Sequence, residues 1–139
     1  MKKTILFADD EPWFHEPVRL ALESKGFECL CATDITSAIE IMSSRDIEVV
    51  IVDVMMPGGK SFTTIDSQEA GFHLVKIVRD RWPTVAIICL SVIGDAAKVN
   101  LIHALRADYL RKGEVPLARV IETIERAAHQ GGERTWRFS

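Results

Sequence analysis

The chain has 139 residues, 47% of them hydrophobic and 27% charged, which suits one globular domain and excludes a disordered or fibrous protein. Its formal net charge of −3 leaves no overall basic field, which argues against direct nucleic-acid binding. No apolar run approaches the roughly 20 residues of a membrane helix, and the one after Met1 stops too soon for a signal peptide, so we expect a soluble cytoplasmic protein with no membrane contact.

Short apolar runs alternate with segments of helical periodicity along the chain. Strands are predicted at residues 4–8, 27–32, 48–53, 85–90 and 108–110, and helices at 13–25, from a cap at Asp34 or Thr36, and at 71–82, 95–105 and 116–129. Gly26 is placed to end the first helix. The alternation predicts an α/β fold, a doubly wound five-stranded parallel sheet with helices on both faces.

The domain is expected to cover residues 1–130, and residues 131–139 are interpreted as a C-terminal tail or linker stub. Three cysteines lie in apolar runs without the spacing of a disulfide or zinc site, so we expect them to be buried and inert: Cys29, Cys31 and Cys89. Four histidines are scattered over predicted helices without forming a ligand cluster, and we interpret them as structural or exposed: His15, His73, His103 and His129.

Polar residues gather where the predicted strands end. Asp9 and Asp10 follow the first strand, Asp53 ends the third, Ser91 follows the fourth, and Lys112 follows the fifth. Ligands of open parallel sheets bind just beyond these ends. Three carboxylates in one crevice repel one another and favour a cation such as Mg²⁺, which prefers oxygen ligands. An aspartate there can attack phosphorus to form an acyl phosphate.

These stretches resemble the receiver domains of two-component response regulators, of the chemotaxis-receiver type with a flavodoxin-like fold. Residues 5–12 (ILFADDEP) are similar to the family's opening strand and acidic pair, and residues 53–58 (DVMMPG) to its phosphoacceptor strand and the turn after it. Leu90-Ser91 resembles the strand-end serine or threonine, and residues 109–112 (YLRK) the aromatic residue and lysine. The matches occur in the family's order and at strand ends.

The resemblance implies that Asp53 is the phosphoacceptor and that Asp9 and Asp10 are metal-binding acids. Asp53 itself and the backbone carbonyl of Met55 would be further ligands of Mg²⁺. The implied phosphoryl donor is a sensor histidine kinase or a phosphotransfer protein. The protein would then be a signalling receiver, with no enzymatic activity beyond its own phosphorylation and slow dephosphorylation.

The resemblance also implies a switch. Lys112 would bind the phosphoryl oxygens, Ser91 would move to hydrogen-bond the phosphate, and Tyr109 would swing inward behind it. The surface of helix four, strand five and helix five would change for an output protein or domain. Whether the chain also forms a homodimer is left open by the sequence.

Three features depart from the family pattern. Residues 58–70 form an insertion before Gly71, and we hypothesise that this loop gates access or selects the kinase rather than being a passive excursion. Gly113 replaces the usual proline after the lysine, which puts the expected cis peptide bond in doubt. Val92 is bulkier than usual and is predicted to slow hydrolysis of the acyl phosphate.

Alternative functions stay open from the sequence. The insertion and Gly113 would suit a phosphorylation-independent pseudo-receiver that only binds a partner. A phosphatase-like hydrolase could use Asp53 as nucleophile, although Met55 stands where its second catalytic acid would be. Asp9 and Asp10 could merely cap the first helix. The chain could also be the receiver part of a longer regulator.

Overall fold

In a computed structural model, the residues described are 2–11, 15–54, 58–60, 70–91 and 96–130. Within them, strands and helices alternate along the chain. The strands are β1 (Thr4–Ala8), β2 (Glu28–Ala32), β3 (Val49–Val52), β4 (Ala86–Ser91) and β5 (Asp108–Arg111). The helices are α1 (Glu16–Ser24), α2 (Ile35–Ser44), α3 (Ala70–Arg81), α4 (Ala96–Ala104) and α5 (Leu117–His129).

The five strands form one parallel sheet in the order β2-β1-β3-β4-β5. The chain moves outward from β1 to the edge strand β2, and then crosses back to β3 on the other side of β1. This reversal places the switch point of the sheet between β1 and β3, where an open α/β sheet has its binding crevice. The predicted fold class is confirmed.

Two hydrophobic layers cover the sheet, because successive strand residues point to opposite faces. Leu6 and Val50 belong to the layer formed with α2, α3 and α4. Ile5 and Phe7 belong to the layer formed with α1 and α5. The central strands are therefore buried on both faces, which is why β3 is apolar without alternation.

The helix ends follow local chemistry. Gly26 adopts a φ of 95°, and the N–H groups of Gly26 and Phe27 donate to the carbonyls of Glu23 and Leu22 in a Schellman motif, as predicted for the end of α1. Asp34, one of the two predicted caps of α2, forms a capping box there. The predicted start of α1 at residue 13 lies outside the described residues.

The expectation that all three cysteines are buried was wrong. Cys89 lies on the inner strand β4 and is buried, but Cys29 is half-buried and Cys31 is exposed. Both belong to β2, an edge strand that α1 covers incompletely. Within the described part of the chain, no helix has the length and apolarity needed to cross a membrane.

Candidate functional site

Two aspartates are placed by an extension of the parallel ladder beyond the strands. The Asp53 N–H donates to the Ala8 carbonyl at 2.9 Å, and the Asp9 N–H donates to the Ala32 carbonyl at 2.9 Å. Asp9 and Asp53 therefore directly follow the neighbouring strands β1 and β3. Their side chains meet at the switch point of the sheet.

Asp9, Asp10 and Asp53 form an acidic cluster in which one carboxylate oxygen of each residue lies within 4.8 Å of the other two. Asp9 is 1% and Asp53 6% exposed, whereas Asp10 is exposed to solvent. The cluster offers hard oxygen ligands with an opening to water, which fits a divalent cation such as Mg²⁺. The structure thus brings together the three predicted metal ligands with side-chain oxygens.

Lys112 reaches the acidic cluster from the turn after β5. Its Nζ lies 3.0 Å from Asp9 Oδ2 and 3.3 Å from Asp53 Oδ2, and its side chain is 7% exposed. Burial lowers the pKa of Lys112, but the hydrogen bond to Asp9 and the charge of Asp53 outweigh burial and raise it. One ammonium group against three carboxylates leaves the cluster with a net negative charge, which a metal cation can offset.

The two adjacent acids differ in their electrostatics. Burial raises the pKa of Asp9, but hydrogen bonds from His15, the Glu11 N–H and Lys112 more than compensate and lower it to about 2. The pKa of Asp10 is raised, first by burial and then by the charges of Asp9 and Glu11. Asp9 therefore stays ionised even in mildly acidic solution. At Asp10, the groups that raise the pKa outweigh those that lower it.

His15 is a member of the site that the sequence interpretation missed. Its Nε2 lies 2.6 Å from Asp9 Oδ2, and the side chain is 2% exposed. It directly precedes α1, so the chain that leaves Asp9 folds back onto the same carboxylate. In the sequence, only the spacing of six residues between Asp9 and His15 pointed to this contact. A helix that begins after such a short connection can bring its first side chains back to the end of the strand.

Helix α3 begins directly against the end of β3. The Gly71 N–H donates to the Val54 carbonyl at 2.9 Å. A Cβ atom on Gly71 would lie 2.3 Å from both the Asp53 carbonyl oxygen and Val54 Cα, so this position requires glycine. This close approach explains why residue 71 is a glycine.

The first residues of the predicted insertion are attached to α2. The Gly58 carbonyl accepts hydrogen bonds from the Thr36 N–H and from Thr36 Oγ1, each at 3.1 Å. Thr36, the other predicted cap of α2, therefore holds this segment instead of capping the helix. Residues 61–69 lie outside the described residues.

The remaining predicted site residues are placed only in part. Tyr109 is half-buried on β5, paired in register with Cys89 of β4. Ser91 ends β4 opposite Arg111, but its side chain, Met55 and Val92 lie outside the described set. The peptide bond after Lys112 is not cis, and Gly113 has a φ of 85°, a conformation that favours glycine.

Comparison with known proteins gives one family. The family model "Response regulator receiver domain" matches residues 5–125. The chain is 33% identical over 132 residues to "Transcriptional regulatory protein CseB" of Streptomyces coelicolor, covering 92% of this chain and 52% of that protein. It is 30% identical over 130 residues to "Response regulator GtcR" of Aneurinibacillus migulanus, covering 91% of this chain and 50% of that one. The chain thus spans about half the length of these relatives.

Solved structures agree on the fold. A CheY-like response regulator receiver domain protein from Methanospirillum hungatei superposes with a TM-score of 0.80 at 16% identity, covering 96% of this chain and 98% of that one. A response regulator receiver domain protein from Clostridium thermocellum superposes with a TM-score of 0.76 at 26% identity, covering 94% and 98%. Both likenesses extend over nearly the whole of each chain.

Proposed function

Because this chain belongs to the response regulator receiver domain family, we propose that it is a switch that accepts a phosphoryl group from a histidine kinase onto Asp53. In general terms, the chain is a receiver domain of two-component signalling. The family match over residues 5–125 supports a receiver at residues 1–130. The insertion at 58–70 and the tail or linker stub at 131–139 stay predictions from the sequence.

One observation carries the proposal: a buried aspartate at the end of a central strand shares a buried lysine with a second aspartate. The Asp53 carboxylate is 6% exposed, and Lys112 bridges Asp53 and Asp9. Burying ionised groups is costly, and even a buried ion pair often stabilises a fold no more than apolar residues of similar size would. The arrangement is therefore best explained by chemistry that needs the carboxylate charge.

In the proposed reaction, an Asp53 carboxylate oxygen attacks the phosphorus of a phosphohistidine. The new O–P bond forms as the P–N bond breaks, and the donor imidazole leaves with the electron pair of that bond. Lys112 hydrogen-bonds the phosphoryl oxygens and offsets part of their charge. Asp9, Asp10, Asp53 and the Met55 carbonyl would hold Mg²⁺, which when bound neutralises charge on the equatorial oxygens.

The proposed output is a change in the surface of α4, β5 and α5. Ser91 would hydrogen-bond the phosphate, and Tyr109, now half-buried, would turn inward. The phosphate adds charge and acceptors and so stabilises one of two packings. The partners would be a cytoplasmic kinase or phosphotransfer protein and an output protein or domain, such as the remainder of a longer regulator of the length of the curated relatives.

The proposal is tested with acetyl phosphate as a small phosphoryl donor. Wild-type protein is incubated with the donor and Mg²⁺, or with the donor and a chelator, and its intact mass is measured. Asp53→Asn removes the proposed acceptor. Asp46→Asn is a matched control, because Asp46 is an exposed acid before β3, away from the acidic cluster.

We expect the mass of one phosphoryl group to be added to the wild type and to Asp46→Asn, only with Mg²⁺, and not to Asp53→Asn. A folded wild type that gains no phosphoryl group would contradict the proposal and leave a pseudo-receiver that works by binding. Continuous release of inorganic phosphate at a rate far above slow self-dephosphorylation would instead indicate a hydrolase.

A further inference from the structure

His15 is buried between the hydrophobic core and the acidic cluster. Its ring centroid lies 5.0 Å from that of Phe7, a residue of β1 in the layer under α1 and α5. Its Nε2 lies 2.6 Å from Asp9 Oδ2. The imidazole therefore packs against the Phe7 ring, and its Nε2 contacts the Asp9 carboxylate.

The chemistry of this contact fixes which atom carries the hydrogen. An ionised carboxylate only accepts hydrogen bonds, so Nε2 of His15 must be the donor to Asp9. His15 occupies the N-cap position of α1, but its side chain forms no cap hydrogen bond there. The placement of the ring is thus tied to Asp9 rather than to the start of the helix.

Asp9 is held on both of its carboxylate oxygens. Oδ1 accepts from the Glu11 N–H at 2.9 Å, and Oδ2 accepts from His15 and from Lys112. Without His15, Oδ2 of Asp9 would lose one of these two donors and keep the other, Lys112. The lysine would then be drawn from Asp53 toward Asp9, and the Asp9 carboxylate would lose one of the bonds that fix its rotation.

We propose that His15 is a positioning residue of the metal site: its Nε2–H fixes the Asp9 carboxylate beside Asp10 and Asp53 and keeps Lys112 shared between Asp9 and Asp53. This inference rests on the proposed function, since it assumes that the acidic cluster takes Mg²⁺. Hydrogen-bonding partners of metal-binding groups typically change metal affinity by about 10-fold to 100-fold when removed.

The test compares three variants by calorimetric titration with Mg²⁺. His15→Leu keeps apolar bulk and removes the donor, whereas His15→Gln can place an amide N–H near the position of Nε2. His129→Leu is the matched control, because His129 also packs against a phenylalanine, Phe27, at 6.0 Å between centroids, and is exposed at the end of α5.

We expect the Kd for Mg²⁺ to rise by about 10-fold in His15→Leu, to return most of the way to the wild-type value in His15→Gln, and to stay unchanged in His129→Leu. Folded His15→Leu that binds Mg²⁺ as the wild type does, or His15→Gln that binds as weakly as His15→Leu, would overturn the inference. A wild type that binds no Mg²⁺ would overturn the proposed metal site and this inference with it.

A second readout needs no variant to fold. In ¹H–¹⁵N spectra of the histidine rings, the wild type should show a proton on Nε2 of His15 in slow exchange with water, as expected for a buried donor. A His15 ring whose proton lies on Nδ1 alone would overturn the inference even if the protein binds Mg²⁺ and becomes phosphorylated.

Discussion

Two buried cations, Lys112 and Arg79, lie in contrasting surroundings. The Lys112 ammonium group contacts the carboxylates of Asp9 and Asp53 at the end of the sheet where the strands finish. Arg79, which is 6% exposed near the end of α3, donates to four backbone carbonyls, those of Pro83, Val85, Leu105 and Arg106, at 2.8 to 2.9 Å. A buried cation therefore occurs both in the acidic cluster and at a site where backbone turns are held to a helix.

The difference lies in the acceptors. Carbonyls are neutral and belong to the turns before β4 and β5, so Arg79 joins these turns to α3. The turn before β5 includes Arg106, whose φ of 59° is uncommon for a residue other than glycine. The hydrogen bond from Arg79 to the Arg106 carbonyl helps to hold this conformation. The partners of Lys112 are the carboxylates of Asp9 and Asp53, which in the proposed function also hold the metal and accept the phosphoryl group. The charge of the acceptors, rather than burial of the cation, distinguishes the acidic cluster from the contacts of Arg79.

The largest effect is expected from Arg79→Met. This change leaves several carbonyls without their donor, and we expect the free energy of unfolding to fall by about 3 kcal/mol. Chemical denaturation monitored by circular dichroism measures it. Arg81→Met, an exposed position in the same helix, should change the free energy by no more than about 0.5 kcal/mol.

The Arg79 variant also separates structure from function. At a temperature where it is folded, it should still accept a phosphoryl group from acetyl phosphate at Asp53. Loss of phosphorylation in the folded variant would break the contrast between the two cations.

An intermediate effect is expected at acidic pH. The pKa of Asp9 is about 2 in the folded protein against an ordinary value of 3.8, so its ionised form stabilises the fold above pH 4. This stabilisation, about 2 kcal/mol, is lost as the pH falls through the folded pKa. The contribution is measured as the difference in free energy of unfolding between the wild type and Asp9→Asn without Mg²⁺, followed from pH 5 downward.

That difference should shrink as the medium is acidified, because protonated aspartic acid and asparagine are both neutral. A difference that does not depend on pH would mean that Asp9 contributes through packing alone. The carbonyl partners of Arg79 do not titrate, so the loss of stability in Arg79→Met should stay nearly constant over the same range.

The smallest effect on the metal-free protein concerns Asp10. Its pKa is raised by burial and by the neighbouring charges, so its ionised form destabilises the metal-free protein at neutral pH. Asp10→Asn should therefore stabilise this form, by only roughly a few tenths of a kcal/mol because Asp10 is exposed and screened by solvent. Thermal unfolding measures the change.

Mg²⁺ should reverse the order of stability of the wild type and Asp10→Asn. Mg²⁺ stabilises a protein that binds it in the native state, by about 2.7 kcal/mol at a hundredfold excess over Kd. The wild type should gain this stability, whereas Asp10→Asn should gain much less. An equal gain in both would remove Asp10 from the metal site.

The strand ends could be predicted because apolar runs stop abruptly at ionisable residues. Asp53 follows a run with no polar residue, and a parallel order brings it beside Asp9 whatever the details of packing. The same rule places Lys112 at this end of the sheet, but its contact with Asp9 and Asp53 does not follow from it, because β5 lies at the edge of the sheet and does not adjoin β1 or β3. These residues could be identified without knowing any side-chain conformation.

Other features depended on tertiary contacts that no local pattern carries. His15 reaches Asp9 only because α1 begins immediately after it, and a helix start is poorly defined by periodicity. Cys31 is exposed because β2 lies at the edge of the sheet, whereas its apolar neighbours suggested burial. Arg79 occupies the inward stripe of α3, four residues after Val75, although arginine normally indicates the solvent side.

The most direct measurement is the location of the phosphoryl group. Protein treated with acetyl phosphate and Mg²⁺ is reduced with borohydride, which converts an aspartyl phosphate to homoserine, and its peptides are sequenced by mass spectrometry. Homoserine at position 53, absent when Mg²⁺ is chelated, is the predicted result. Homoserine at position 9 or 10 instead, or none in a folded protein, would contradict the assignment of Asp53 as the phosphoacceptor.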